Sequence, residues 1–191
     1  MTANTDPDVV DLLTTDHHEV LHLLDEIKES GDPERRRELA DAVIGELVRH
    51  SVAEEMFVYP AMRKHLPDGD EAVEHDVAEH KELEQLMKRW EGVDAATPDF
   101  DRVLAELEEV LRDHVQDEES EQFPKLRAAI PARQLVDMAG EVEAAKRVAP
   151  TRPHPLAPNN ALFHFAVGPG VGLVDRLRDA WTGRPNKTDA G

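Results

Sequence analysis

The sequence predicts an all-α protein: an up-down-up-down four-helix bundle, a short additional helix, and a Pro/Gly-containing C-terminal tail. Three observations predict it. Aromatic residues make up only 4 % of the 191 residues, low for a sheet protein, while the helix formers Ala, Leu and Glu are plentiful. Apolar residues recur at three- and four-residue spacing in four long segments. Pro, Gly and Asp punctuate those segments through short connections, which makes sequence neighbours antiparallel.

Asp6-Pro7-Asp8 reads as a start signal, an acidic cap with Pro in the first turn. The first helix then follows Val10, Leu13, Val20, Leu24 and Ile27 and ends before Gly31, with His17 filling the gap in the stripe. Asp32-Pro33-Glu34 opens the second helix. Its stripe is Leu39, Val43, Leu47, His50, Glu54, Phe57 and Ala61, and it ends around His65–Asp68 at the turn signal LPDGD. The third helix spans about Asp70 to Trp90 on Val73, Val77, His80, Leu83 and Met87. The fourth runs from about Asp99 to Ala129 on Phe100, Val103, Leu107, Val110, Leu111, His114 and Glu118. Pro131 opens a shorter amphipathic helix ending near Val148, expected outside the bundle or across one end.

Charge and composition divide the chain. Residues 1–145 carry 38 acidic and 15 basic residues, a net of −23, whereas 146–191 carry 3 and 7, a net of +4. Residues 149–158 hold four prolines, which read as an extended linker. The expected units are therefore 1–148, the bundle with its fifth helix, and 149–191, a basic tail with at most one short helix. That tail is expected to contact the bundle or another partner. The acidity argues against binding a nucleic-acid backbone. With no cysteine, disulfides, thiolate zinc sites and iron–sulfur clusters are excluded. No apolar run is long enough for a membrane span, and the N-terminus lacks a signal pattern, so the expected location is cytoplasmic.

The acidic part repeats itself. At an offset of 64, Leu47, His50, Glu54, Glu55, Tyr59, Pro60 and Met62 align with Leu111, His114, Glu118, Glu119, Phe123, Pro124 and Leu126. At an offset of 63, DHHEVLHLL (16–24) aligns with EHKELEQLM (79–87), placing His17 on His80. The chain is two related helical hairpins. Residues at i and i+4 share a helix face, so His50 and Glu54 point together, as do His114 and Glu118. Four imidazoles and two carboxylates thus aim into one interior. Buried polar groups are costly without partners, and a pair of metal ions satisfies this set well. The competing arrangement is a network of buried His–Glu hydrogen bonds without metal. His18, His22, His65, His75, His154 and His164 fall off the stripes or in the tail and are assigned to solvent.

DHHEV at 16–20, HSVAEEMFVYPAM at 50–62, AEHKEL at 78–83 and HVQDEESEQFPKL at 114–126 resemble the hemerythrin-like, or HHE cation-binding, family. The resemblance spans about residues 8–130 and implies a bundle enclosing two non-haem iron ions, with manganese or zinc also suited to such ligands. It implies His17, His50, His80 and His114 as terminal ligands and Glu54 and Glu118 as bridging carboxylates. It offers two roles for Tyr59, at or near the metal or as a core aromatic. Oxygen-carrying members have a second His at the position of Asp76, so four imidazoles rather than five are implied here, favouring the ferric state over reversible oxygen carriage. The function expected is a non-haem di-iron protein that meets dioxygen, peroxide or nitric oxide, with catalase-like peroxide disproportionation as its enzymatic form. The alternative is an iron- or oxygen-sensing or iron-storage module without catalysis.

Overall fold

A computed structural model describes residues 6–149 of the chain. The expectations for the tail fall on residues 150–191, outside the described part. The elements are α1 (Val9–Glu29), α2 (Pro33–Ala53), a π-helical turn (Glu54–Val58), α3 (Tyr59–His65), α4 (Gly69–Glu91), α5 (Pro98–Asp117), a second π turn (Glu118–Gln122), α6 (Phe123–Ala129) and α7 (Ala132–Val148). There is no strand among the described residues. The chain folds as the expected all-helical bundle. α1 lies against α2, α4 against α5, and the hairpins close the bundle through α1–α5 and α2–α4 contacts.

The helix starts follow local chemistry. Asp8, not Asp6, caps α1: its carboxylate accepts from the Asp11 N–H, and Asp11 reciprocates. Pro7 therefore precedes the cap instead of entering the first turn. Asp32 caps α2 by accepting from Glu34 N–H, with Pro33 at the first position, where its missing donor costs nothing. Gly69 begins α4 so close to the end of α3 that a Cβ would overlap the Met62 carbonyl.

The second and fourth long helices are not continuous α-helices as the periodicity suggested. Each widens into a π turn starting at the glutamate, with Tyr59 N–H bonding Glu54 O and Phe123 N–H bonding Glu118 O. Pro60 and Pro124 account for this. A proline inside a helix has no N–H to donate, and its ring crowds the carbonyl four residues back. One extra residue in the turn relieves the crowding and rotates everything downstream by about 100°. The inward positions after Glu54 are consequently Val58, Tyr59 and Met62 instead of the expected Phe57 and Ala61.

Two apolar clusters result. One, around Leu24, Ile44, Leu83, Trp90, Phe100 and Leu107, fills the end of the bundle near the α4–α5 connection. The other, around Leu13, Val58, Met62, Phe123, Leu126 and Val142, fills the opposite end and includes α7, which packs along α1 and α2. Between them lies a polar layer.

Candidate metal centre

That layer contains all six residues the repeat singled out. His17, His50, His80 and His114 are at most 6 % exposed, and Glu54 and Glu118 are fully buried. His18 is on the exposed face of α1, and His22 is 75 % exposed, so of the three histidines of α1 only His17, which continues the apolar stripe, is buried.

The imidazoles form two pairs, His17 with His50 at 4.8 Å between ring centres and His80 with His114 at 4.9 Å. Each glutamate spans the pairs. Glu54 Oε2 lies 3.1 Å from His50 Nε2 and 3.3 Å from His80 Nε2. Glu118 Oε2 lies 3.2 Å from His17 Nε2 and 3.7 Å from His114 Nε2. One donor atom each from His17, His50, Glu54 and Glu118 falls within 4.8 Å of the others, and so does one each from Glu54, His80 and His114.

The outer ring nitrogens are held by a further set of carboxylates that periodicity did not single out. His17 Nδ1 donates to Glu119 at 2.9 Å and His114 Nδ1 to Glu79 at 2.9 Å. His50 Nδ1 donates to Asp16 at 3.3 Å, and His80 Nδ1 to Glu55 at 3.3 Å. Ionised carboxylates only accept, so they place the proton on Nδ1 and turn Nε2 toward the interior. The repeat contained the signal. Asp16 aligns with Glu79 at the offset of 63, and Glu55 with Glu119 at 64.

The interior is a trap for positive charge. Burial opposes ionisation of His50, yet the charge of Glu54 and the hydrogen bond to Asp16 push its pKa up to about 10. Burial likewise opposes ionisation of His80, and the carboxylates of Glu54 and Glu55 beside it push it to about 10. Glu54 is held well below its ordinary range despite burial, because His50 stands against it. Both oxygens of Glu54 and of Glu118, and His114 Nε2, are buried without a hydrogen bond of good geometry. Orphaned carboxylate oxygens facing imidazole nitrogens fit a metal ion, whose charge and coordination satisfy both.

Tyr59 is 3 % exposed, and its hydroxyl lies 3.1 Å from His80 Nε2. Burial and the charges of Glu54 and Glu118 raise its pKa well above the usual value, so the phenol keeps its proton. Its repeat partner Phe123 stacks on His17 at 5.8 Å and 7°. Asp76 is fully buried, receives a 2.8 Å hydrogen bond from Gln122 Nε2, and leaves Oδ2 without a partner. Burial pushes its pKa up to about 7. It takes the inward place in α4 that the periodicity gave to Val77, which is only partly buried.

Comparison with known proteins agrees with this chemistry. The family model described as the hemerythrin HHE cation binding domain matches residues 8–126. An uncharacterized hemerythrin-like protein of Schizosaccharomyces pombe is 31 % identical over 172 residues, 90 % of this chain and 85 % of the relative. A protein of a Nostoc species named DNA nickase is 30 % identical over 141 residues, 74 % of this chain but only 40 % of the relative. No solved structure matches the chain.

Proposed function

The chain belongs to the hemerythrin family of HHE cation-binding domains, and from that premise we propose that it holds two iron ions in the polar layer and reacts there with peroxide, dioxygen or nitric oxide. His17, His50, His80 and His114 are the terminal ligands, and Glu54 and Glu118 the bridges. The observation that carries this reading is the pair of buried glutamates whose oxygens lack hydrogen bonds while each lies between imidazoles of both pairs. Two redox-active ions, when bound, supply and accept two electrons, which suits peroxide disproportionation.

The chain's own residues set the conditions. Asp16, Glu55, Glu79 and Glu119 hold the imidazole tautomers and ring orientations. Leu13, Val58 and Phe123 close one side of the layer with apolar surface and exclude water. Tyr59 keeps a phenolic proton at His80, and Asp76, titrating near neutrality, stores a second one beside Gln122. Protons and metal compete for the same Nε2 lone pairs, so metal uptake releases protons.

The test is reconstitution with iron, measurement of metal content and optical spectrum, then addition of peroxide with oxygen release followed. Two irons per chain and oxygen release that the His50→Ala/His114→Ala variant lacks are expected. Unchanged activity in that variant overturns the proposal.

The relative named DNA nickase favours a second reading, metal-assisted scission of DNA. The net charge of −23 over residues 1–145 opposes contact with phosphates, which leaves the net +4 of residues 146–191 to supply it. Relaxation of a supercoiled plasmid by the metal-loaded chain separates the two readings.

A further inference from the structure

Outside the buried layer, α4 and α5 bring a second donor set to the surface. His75 Nε2 stands 3.3 Å from Glu79 Oε1, one turn along α4, and 3.4 Å from Asp117 Oδ2 on α5. One donor atom from each lies within 4.8 Å of the others. His75 is 56 % exposed, so an ion can reach it from solution. Glu79 is shared between surface and interior: its other oxygen, Oε2, accepts from His114 Nδ1 at 2.9 Å.

The internal repeat indicates what belongs on the outer oxygen. The counterpart of Glu79 is Asp16, whose Oδ2 accepts from His50 Nδ1 while Oδ1 accepts from the Lys146 ammonium. In the first hairpin, then, the outer carboxylate lies between a buried imidazole and a fixed cation. α7 provides that cation, and α7 packs on α1 and α2. In the second hairpin the outer oxygen meets His75 instead, with Asp117 beside it.

An imidazole nitrogen with two carboxylate oxygens, partly exposed and open to water, is a donor set for a borderline divalent ion. We propose that His75, Glu79 and Asp117 bind such an ion, of the zinc class, at the surface. The ion takes the place in the second hairpin that the Lys146 ammonium holds in the first, and it restrains the carboxylate that orients His114. The site touches the buried layer only through Glu79, by the oxygen that does not face His114, and stands whichever metal fills that layer.

Equilibrium dialysis of the full chain tests this. Protein is first loaded at the interior and assayed for metal, then dialysed against micromolar zinc alongside His75→Ala and Asp117→Asn, both of which leave the Glu79–His114 hydrogen bond intact. The wild type is expected to retain one more zinc per chain than either variant. It is also expected to melt higher with zinc than without, a rise that His75→Lys loses by supplying its own ammonium. Equal zinc counts in the wild type and both variants overturn the proposal and leave His75 as an ion-pair partner only. A failure of the iron reading shows separately, as absence of iron before dialysis.

Discussion

The two hairpins carry the same imidazoles, the same inner glutamates and the same outer carboxylates, yet they differ at three places around them. In the first, Leu13 and Val58 pack as apolar neighbours; their repeat partners in the second are Asp76 and Gln122, a buried hydrogen-bonded pair. In the first, Lys146 of α7 clamps Asp16; in the second, Glu79 faces His75 and the solvent. Tyr59 of the first hairpin places a hydroxyl on His80, whereas Phe123 of the second only stacks on His17. A duplicated frame thus supplies the metal-binding geometry, and unduplicated neighbours make its two sides chemically different. Such differences make the two sides of the polar layer unlike in polarity, proton supply and stiffness.

The largest effect should come from removing what the halves share. His50→Ala/His114→Ala takes one imidazole from each pair, and metal analysis after gel filtration should find iron retention reduced on the order of a hundred-fold or more. The next tests the polar side of the comparison. Asp76 has its pKa raised from 3.8 to about 7, so the cost of ionising it accrues as pH rises from about 4 to 7 and is complete above that. In metal-free protein, Asp76→Asn should gain stability over the wild type across that window, by as much as ~4 kcal/mol at pH 8 and by little at pH 4. Urea denaturation at both pH values reads it, and a pH-independent difference would remove Asp76 as the titrating group.

A smaller effect is expected at the outer carboxylates. Asp16→Asn should weaken metal binding about ten- to a hundred-fold by loosening His50, and Lys146→Met should do the same to a lesser extent. Competition with a chelator measures both, and affinity unchanged by Lys146→Met would mean that α7 only packs. The smallest belongs to the single phenol. Tyr59→Phe makes the halves alike there and should cost about 1 kcal/mol from one buried hydrogen bond, with metal content unchanged. Loss of metal in that variant would instead make the phenol a ligand.

Much of this site was legible because burial and periodicity agree. His17, His50, His80 and His114 each continue an apolar stripe, and the repeat reinforces each choice. Asp16, Glu55, Glu79 and Glu119 were not legible by the same rule, since acidic residues beside a stripe look like a solvated helix face. The repeat pairs Asp16 with Glu79 and Glu55 with Glu119, but their role comes from the contact each makes with Nδ1 of a buried ring. The π turns were hidden for a different reason. Pro60 and Pro124 signal a disturbance, but the sequence pattern does not say whether the helix breaks, kinks or widens. The choice decides whether Phe57 or Val58 faces inward. His75 was rightly placed at the surface, but its neighbours Glu79 and Asp117 come from one turn away and from another helix, and only the packing of α4 on α5 joins them.

By itself the sequence determined the helical class, the pseudo-twofold repeat, and the six polar residues that must share an interior. Those follow from local propensity and from the cost of burying polar groups, which both act through spacing along one helix. The tertiary structure decided which carboxylate serves which imidazole, that Glu54 and Glu118 each lie between both pairs, and that Lys146 reaches Asp16 from 130 residues away. Those depend on how separate helices are rotated against each other. That rotation is set by side-chain packing across the whole bundle and by the extra residue in each π turn.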